Sequence, residues 1–228
     1  MDIPGRVLNY EDWGCSWRAD PRHRRMIIEH FGFNELTKSV TTTGVKDADS
    51  EGGCEQTPLT PMEATQYRAV AARLNYLSAD WPNVQFASKE VCRSMANPDI
   101  KALERLKRTA RYLLGVTAPK WYFRWQNPDI DSLVVSVDSD WAGCRRTRKS
   151  TSGGCIMLGT HTLKTWSTTQ ATMAMSSAEA EYYAMIEGSV RTLGLQSMLR
   201  ELGLHRMWWS KPIRQRPKVL PPNGGLQG

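Results

Sequence analysis

The stretch from Leu133 to Gly143 restricts the folds open to this chain more than any other. Leu133, Val134, Val135 and Val137 form a short, mostly β-branched run, the composition of a strand covered on both faces. Asp138 and Asp140 follow as the chain leaves the sheet, and Gly143 permits a turn. A carboxylate at the end of such a strand sits in a low dielectric, which strengthens its hold on a cation. A second acid is available from the run Ser176 to Tyr182, Ser-Ser-Ala-Glu-Ala-Glu-Tyr, which reads as a helix start. Ser176 and Glu179 fit a capping box there, and Glu181 follows within the next turn. The residues alone thus predict a strand and a helix that offer carboxylates to a metal ion.

Further motifs follow in order: Asp138-Ser-Asp-Trp-Ala-Gly143, Arg148-Lys-Ser-Thr-Ser-Gly153, Trp166-Ser167 and Ser176 to Tyr182. In this order they resemble the ribonuclease H segment of copia-type retrotransposon polyproteins. The resemblance implies an α/β, ribonuclease H-like fold, here incomplete: an antiparallel three-stranded meander plus a helix, preceded by an α-helical connection segment. It also implies cleavage of the RNA strand of an RNA–DNA hybrid by paired magnesium ions about 4 Å apart. Magnesium takes hard oxygen ligands, so acids must converge from different elements. Asp138 matches the family's acid at the end of the first strand. Glu181 matches the acid of the first helix, because Glu181-Tyr-Tyr-Ala184 reproduces the Glu-x-x-Ala pattern that opens it. Glu179 is then the capping residue and Asp140 a polar turn residue.

The rest of the family's ligand set has no counterpart in the sequence. Family members continue into a strand ending in Asp-Asn and later contribute another acid. In this chain no aspartate follows Asp140, and beyond Glu181 the acids are Glu187 and Glu201, within the predicted helix. Two carboxylates facing two dications leave about two positive charges uncompensated, which weakens the second ion's binding. No Tyr-x-Asp-Asp polymerase motif lies upstream. The expectation is a truncated polyprotein piece, with a weak or incomplete Mg2+ site and no activity alone.

The chain has 228 residues, 40% hydrophobic and 23% charged, which allows one large or two small domains with an ordinary core. No apolar run is long enough to span a bilayer, so no membrane is expected as a partner. The net charge of +7 favours polyanionic partners without identifying one. The five cysteines include no Cys-x-x-Cys pair, and the four histidines do not space like zinc ligands. This pattern fits free thiols in a reducing compartment, cytoplasmic or nuclear. Nothing in the sequence sets an oligomeric state.

Taken in order, residues 1–58 form a poorly defined segment that resembles the region past the polymerase palm. A short helix is expected to start at Asp20-Pro21, and a polar linker to run from Thr41 to Gln56. Residues 59–116 are the helical connection. Thr60-Pro61-Met62-Glu63 is a capped start, followed by Ala64, Tyr67, Val70, Ala71, Leu74 and Leu77 at helical spacing. A second helix is expected over 84–95. A third follows Asp99, with Ile100, Leu103, Leu106, Ala110, Leu113 and Leu114 as its apolar stripe. Its basic row of Lys101, Arg105 and Arg108 is more simply a solvated face than a phosphate track.

Residues 117–204 form the partial ribonuclease H-like domain. It begins with Trp121-Tyr-Phe-Arg-Trp125, a strand whose aromatics suit packing better than base stacking. The loop Arg145-Arg-Thr-Arg-Lys149 places Arg145, Arg146, Arg148 and Lys149 beside the acids, either as contacts to a nucleic-acid backbone or as a solvated loop. Two strands are expected over 155–158 and 162–166, with His161 in the turn. The last helix should bury Tyr183, Ile186, Val190, Leu193, Met198, Leu199 and Leu202. Residues 205–228 form a basic Pro/Gly-rich tail that composition predicts to be disordered. A non-catalytic nucleic-acid-binding module built on the basic loop and this tail is the alternative reading.

Overall fold

The computed structural model describes residues 2–3, 6–44, 57–126 and 132–203. Most of the expected linker, the turn at Asn127-Pro128-Asp129 and the basic tail lie outside the described residues. The chain divides into two compact units, residues 1–127 with 165–169, and residues 128–164 with 170–228.

The first unit opens with strands β1 (Asp2–Ile3), β2 (Arg6–Glu11) and β3 (Gly14–Ala19), then helix α1 (Pro21–His30). Helices α2 (Pro61–Ser78), α3 (Pro82–Arg93) and α4 (Ile100–Gly115) follow, and then strand β4 (Lys120–Arg124). The sheet order is β1-β2-β3-β4, antiparallel throughout. Each helix start has a local cause. Asp20 caps α1 by accepting from the Arg22 amide, and Asp99 caps α4 by accepting from the Ala102 amide. Thr60 and Glu63 close a full capping box at α2, with the Glu63 carboxylate 3.0 Å from the Thr60 amide.

The expected α2 stripe is the centre of this unit's core. Tyr67, Val70, Ala71, Leu74 and Leu77 are buried with Ile27, Trp81, Val84, Val91, Leu106 and Leu113. The Tyr67 hydroxyl donates to the Val91 carbonyl at 2.6 Å, and its burial raises the phenol above its ordinary range. The basic row on α4 is engaged within the protein, with Arg108 donating to the Thr42 hydroxyl.

Two expectations change here. The segment before residue 58 holds a β-hairpin as well as the predicted helix. The strand at 120–124 pairs with β3 in this sheet, rather than joining the meander that follows residue 132. Gly14 permits that pairing. Its φ of +151° and its approach to β4 leave no room for a side chain, since a Cβ there would run into the Phe123 carbonyl. Trp17 and Trp121, directly paired across the ladder, add a near-parallel ring contact at 6.1 Å.

The second unit contains β5 (Leu133–Asp140), β6 (Thr151–Leu158), the first residues of β7 (His161–Thr169), whose positions 165–169 count with the first unit, and α5 (Ser177–Glu201); the sheet order is β5-β6-β7. The meander and the following helix are those expected, though β6 and β7 start earlier and β7 takes in His161. The expected burial of β5 on both faces is corrected. Leu133, Val135, Val137 and Ser139 are buried, whereas Ser136, Asp138 and Asp140 are exposed. Helix α5 packs on β5 and β6 on the face that carries the buried set, and the strand alternates accordingly.

The expected face of α5 is corrected as well. Ala180, Ala184, Gly188 and Thr192, spaced every fourth residue, form its buried stripe. Ile186, Val190, Leu193, Met198 and Leu202 are exposed, Val190 at 64%. The helix is apolar on almost every side, so periodicity alone cannot choose a face. Small side chains let the helix backbone lie close to the Val135, Val137 and Ile156 surface.

Candidate functional site

The exit of β5 and the start of α5 share one end of the sheet. Ser139 pairs with Ser152 across the β5–β6 ladder, and both are buried. Gln170, just past β7, joins this pair to the helix. Its amide nitrogen donates to the Ser152 hydroxyl at 3.0 Å and to the Ala180 carbonyl at 2.8 Å. Its backbone N–H donates to Ser150 at 2.9 Å. The first turn of α5 is therefore fixed at the level of Ser139. Sequence reasoning passed over Gln170, because a polar residue between a strand and a helix has no periodic signature.

Asp138 precedes Ser139 on β5 and stands on the exposed face with Ser136 and Asp140. Its cross-strand partner is Gly153, so no side chain lies beside its carboxylate on β6. Being exposed, it lacks the low-dielectric setting expected from the sequence. Glu181 follows the buried Ala180 in the first turn of α5 and is half-buried. The structure thus brings Asp138 and Glu181 to the same end of the sheet without placing them on one face of it. Neither carboxylate is engaged with another described residue.

Glu179 has a different part. The Ser176 hydroxyl accepts from the Glu179 amide at 3.1 Å, but the Glu179 carboxylate does not return to the Ser176 amide. It accepts from the Met175 amide at 2.7 Å and from the Tyr183 hydroxyl at 2.8 Å. The Met175 amide, followed by the Tyr183 hydroxyl, holds this carboxyl below its usual range. Glu179 organises the helix start, and Glu181 has no partner among the described residues.

The turn after β5 carries the basic loop. Trp141 anchors it through an indole bond to the Ala174 carbonyl at 3.2 Å, and the Ala142 amide donates to the Ser150 hydroxyl at 3.0 Å. A Cβ at Gly143 would meet the Asp140 carboxylate, so a side chain there would make that exposed carboxylate turn away. Within the loop the Arg148 amide donates to the Cys144 carbonyl at 2.7 Å, with Arg148 at φ 55°. Arg145, Arg146 and Arg148 are exposed. Lys149 is half-buried, and its ammonium donates to the Ala171 carbonyl at 2.6 Å.

The implied magnesium pair can be weighed against these donors. Among the described residues no group of three or more His, Cys, Asp or Glu side chains converges to hold a metal. Asp138 and Glu181 supply hard oxygens of the right kind, but two ions need more bridging and terminal carboxylates than these. The donor set present does not fit a complete two-ion site. Cys15, Cys92, Cys144 and Cys155 are free thiols, and no helix among the described residues is long and apolar enough to cross a membrane.

No family model and no solved structure matches the chain. Relatives of known sequence do. An uncharacterized mitochondrial protein of Arabidopsis thaliana, AtMg00810, is 33% identical over 54% of this chain and 50% of its own length. The retrovirus-related Pol polyprotein from transposon RE1 of the same plant is 31% identical over 79% of this chain and 12% of its own length. That from transposon RE2 is 32% identical over 62% of this chain and 10% of its own length. The chain spans half or less of each of these relatives. These matches extend well beyond the acidic motifs, and the chain is similar over most of its length to segments of retrovirus-related Pol polyproteins from transposons.

Proposed function

We propose that the chain is the part of a copia-type Pol polyprotein that connects the polymerase to ribonuclease H and begins the ribonuclease H domain. The observation that carries this reading is the shared end of the β5–β6–β7 sheet. Asp138 reaches it from the strand and Glu181 from the helix, and among the described residues neither carboxylate has a partner. In this reading the parent domain cleaves the RNA strand of RNA–DNA hybrids. There Asp138 and Glu181 would be the first two of the carboxylates that hold magnesium, whose chemistry would be activation of water and stabilisation of the leaving oxygen. The chain by itself lacks the acids to hold both ions and is inactive alone. What its own residues do is fix the first two carboxylates at a rigid sheet end, with Gln170 and Glu179 as the positioning residues.

The exposure of Arg145, Arg146 and Arg148 on a turn tied down through Lys149 supports a contribution to backbone binding. This also favours a second reading, a nucleic-acid-binding module without catalysis.

A hybrid-cleavage assay in magnesium decides between the two. The chain alone should give no turnover above the blank. A chimera in which the chain replaces the matching segment of the RE1 polyprotein should cleave the RNA strand, and Asp138→Asn or Glu181→Gln should abolish that cleavage. Turnover by the chain alone that is lost in Asp138→Asn contradicts its inactivity. An inactive chimera that still binds duplex, in a manner lost on charge reversal of Arg145, Arg146 and Arg148, favours the second reading.

A further inference from the structure

The aromatic strand, whose residues suit packing better than base stacking in the sequence, divides them between the two faces of the first unit's sheet. Trp121 and Phe123 are half-buried on the face that carries Trp17, and the Trp121 indole donates to the Asp80 carbonyl at 3.0 Å. Tyr122 projects from the other face and is 58% exposed. The ladder sets three cross-strand rows on this outer face: Val7–Arg18–Lys120, Asn9–Ser16–Tyr122 and Glu11–Gly14–Arg124. The middle strand contributes only a serine and a glycine to two of the rows, and both are buried.

Tyr122 lies between two cations on its own strand, with the Lys120 ammonium 5.2 Å from its ring centroid. Trp13, from the β2–β3 turn, approaches the same ring at 5.8 Å with the planes tilted 45°. Trp13, Tyr122 and Arg124 line a cavity of about 420 Å³. Arg18, Lys120 and Arg124 share this face with Glu11, and Asp2 of β1 occupies the register position that continues the Val7–Arg18–Lys120 row.

We infer that this face is a binding site for single-stranded nucleic acid, with Tyr122 and Trp13 stacking on bases and Arg18, Lys120 and Arg124 following the phosphates. An exposed ring such as Tyr122, with a half-buried Trp13 beside it and cations on either side, suits an unpaired strand, because its bases present free π-faces. A duplex has already stacked its bases and gains from the charges alone. The site's residues all belong to the first unit, and the inference does not depend on the ribonuclease H reading.

Fluorescence anisotropy with the full chain tests it, using a short labelled oligothymidine and a hairpin duplex in increasing potassium chloride. Tyr122→Ala should weaken oligothymidine binding about tenfold and leave the hairpin nearly unchanged. Tyr122→Phe, which keeps the ring and the fold, should bind as the wild type does. Lys120→Glu and Arg124→Glu should each lower the salt slope by roughly one. Charge reversal of the Arg145–Lys149 loop should spare oligothymidine binding. The inference fails if the chain does not bind oligothymidine, if Tyr122→Ala binds like Tyr122→Phe, or if single strand and hairpin weaken together.

Discussion

The side of α5 that meets the sheet decides where Glu181 can stand, and one pair of substitutions tests it. Ala184 is fully buried between Ala180 and Gly188 on the stripe that faces β5 and β6. Leucine at this position adds three carbons where the helix backbone lies close to the strands, and overpacking of this kind costs about 1–3 kcal/mol. Val190, 64% exposed on the opposite side, should accept glutamate within about 0.5 kcal/mol. The chain divides into two units, so one global melt is a poor measure of a local change. Amide hydrogen exchange of peptides from β5, β6 and α5 reads it directly. A loss near 2 kcal/mol makes exchange in those peptides about thirtyfold faster in Ala184→Leu. Val190→Glu should exchange like the wild type. The reverse result, with fast exchange in Val190→Glu and none in Ala184→Leu, would refute the packing and restore the face expected from periodicity.

Two further outcomes follow from the same contacts. Gln170→Ala removes both bonds that join Ser152 to the first turn of α5, and the buried groups it leaves unpaired should cost about 2–3 kcal/mol, visible as faster exchange at residues 177–184. Glu179 is depressed in the folded state, so the stability it contributes is present above the ordinary carboxylate range and is lost as pH falls through and below it. Far-UV circular dichroism between about pH 6 and pH 3 should show less acid loss of helix in Glu179→Gln than in the wild type.

Elements with a local cause were legible in the sequence. Asp20-Pro21, Thr60-Pro61 with Glu63, Asp99 and Ser176 each mark a helix start, because the capping oxygen lies within a few residues of the amide it binds. The α2 stripe was legible because its opposite face is polar. Pairing between distant strands was not, and the first hairpin escaped for that reason. Nothing near Trp121 says that its partner is Trp17, more than a hundred residues away. The choice of face on α5 also escaped, since an apolar stripe of large residues and a stripe of Ala, Gly and Thr both satisfy the spacing. At the candidate site the identities of Asp138 and Glu181 came from motifs, whereas the exposure of Asp138 depends on which side of β5 the helix covers. Gln170 left no mark because its role exists only in three dimensions.

The claim on which the functional reading depends is that positions 138 and 181 can hold one cation at the end of the sheet. Titration of the labelled chain with manganese, a paramagnetic substitute for magnesium, tests it through broadening of amide resonances. The account predicts that signals flanking Asp138 and Glu181 broaden together at the same ion concentration, weakly, and that Asp138→Asn removes both effects. Broadening confined to one of the two positions, or undiminished at Glu181 in Asp138→Asn, would contradict it.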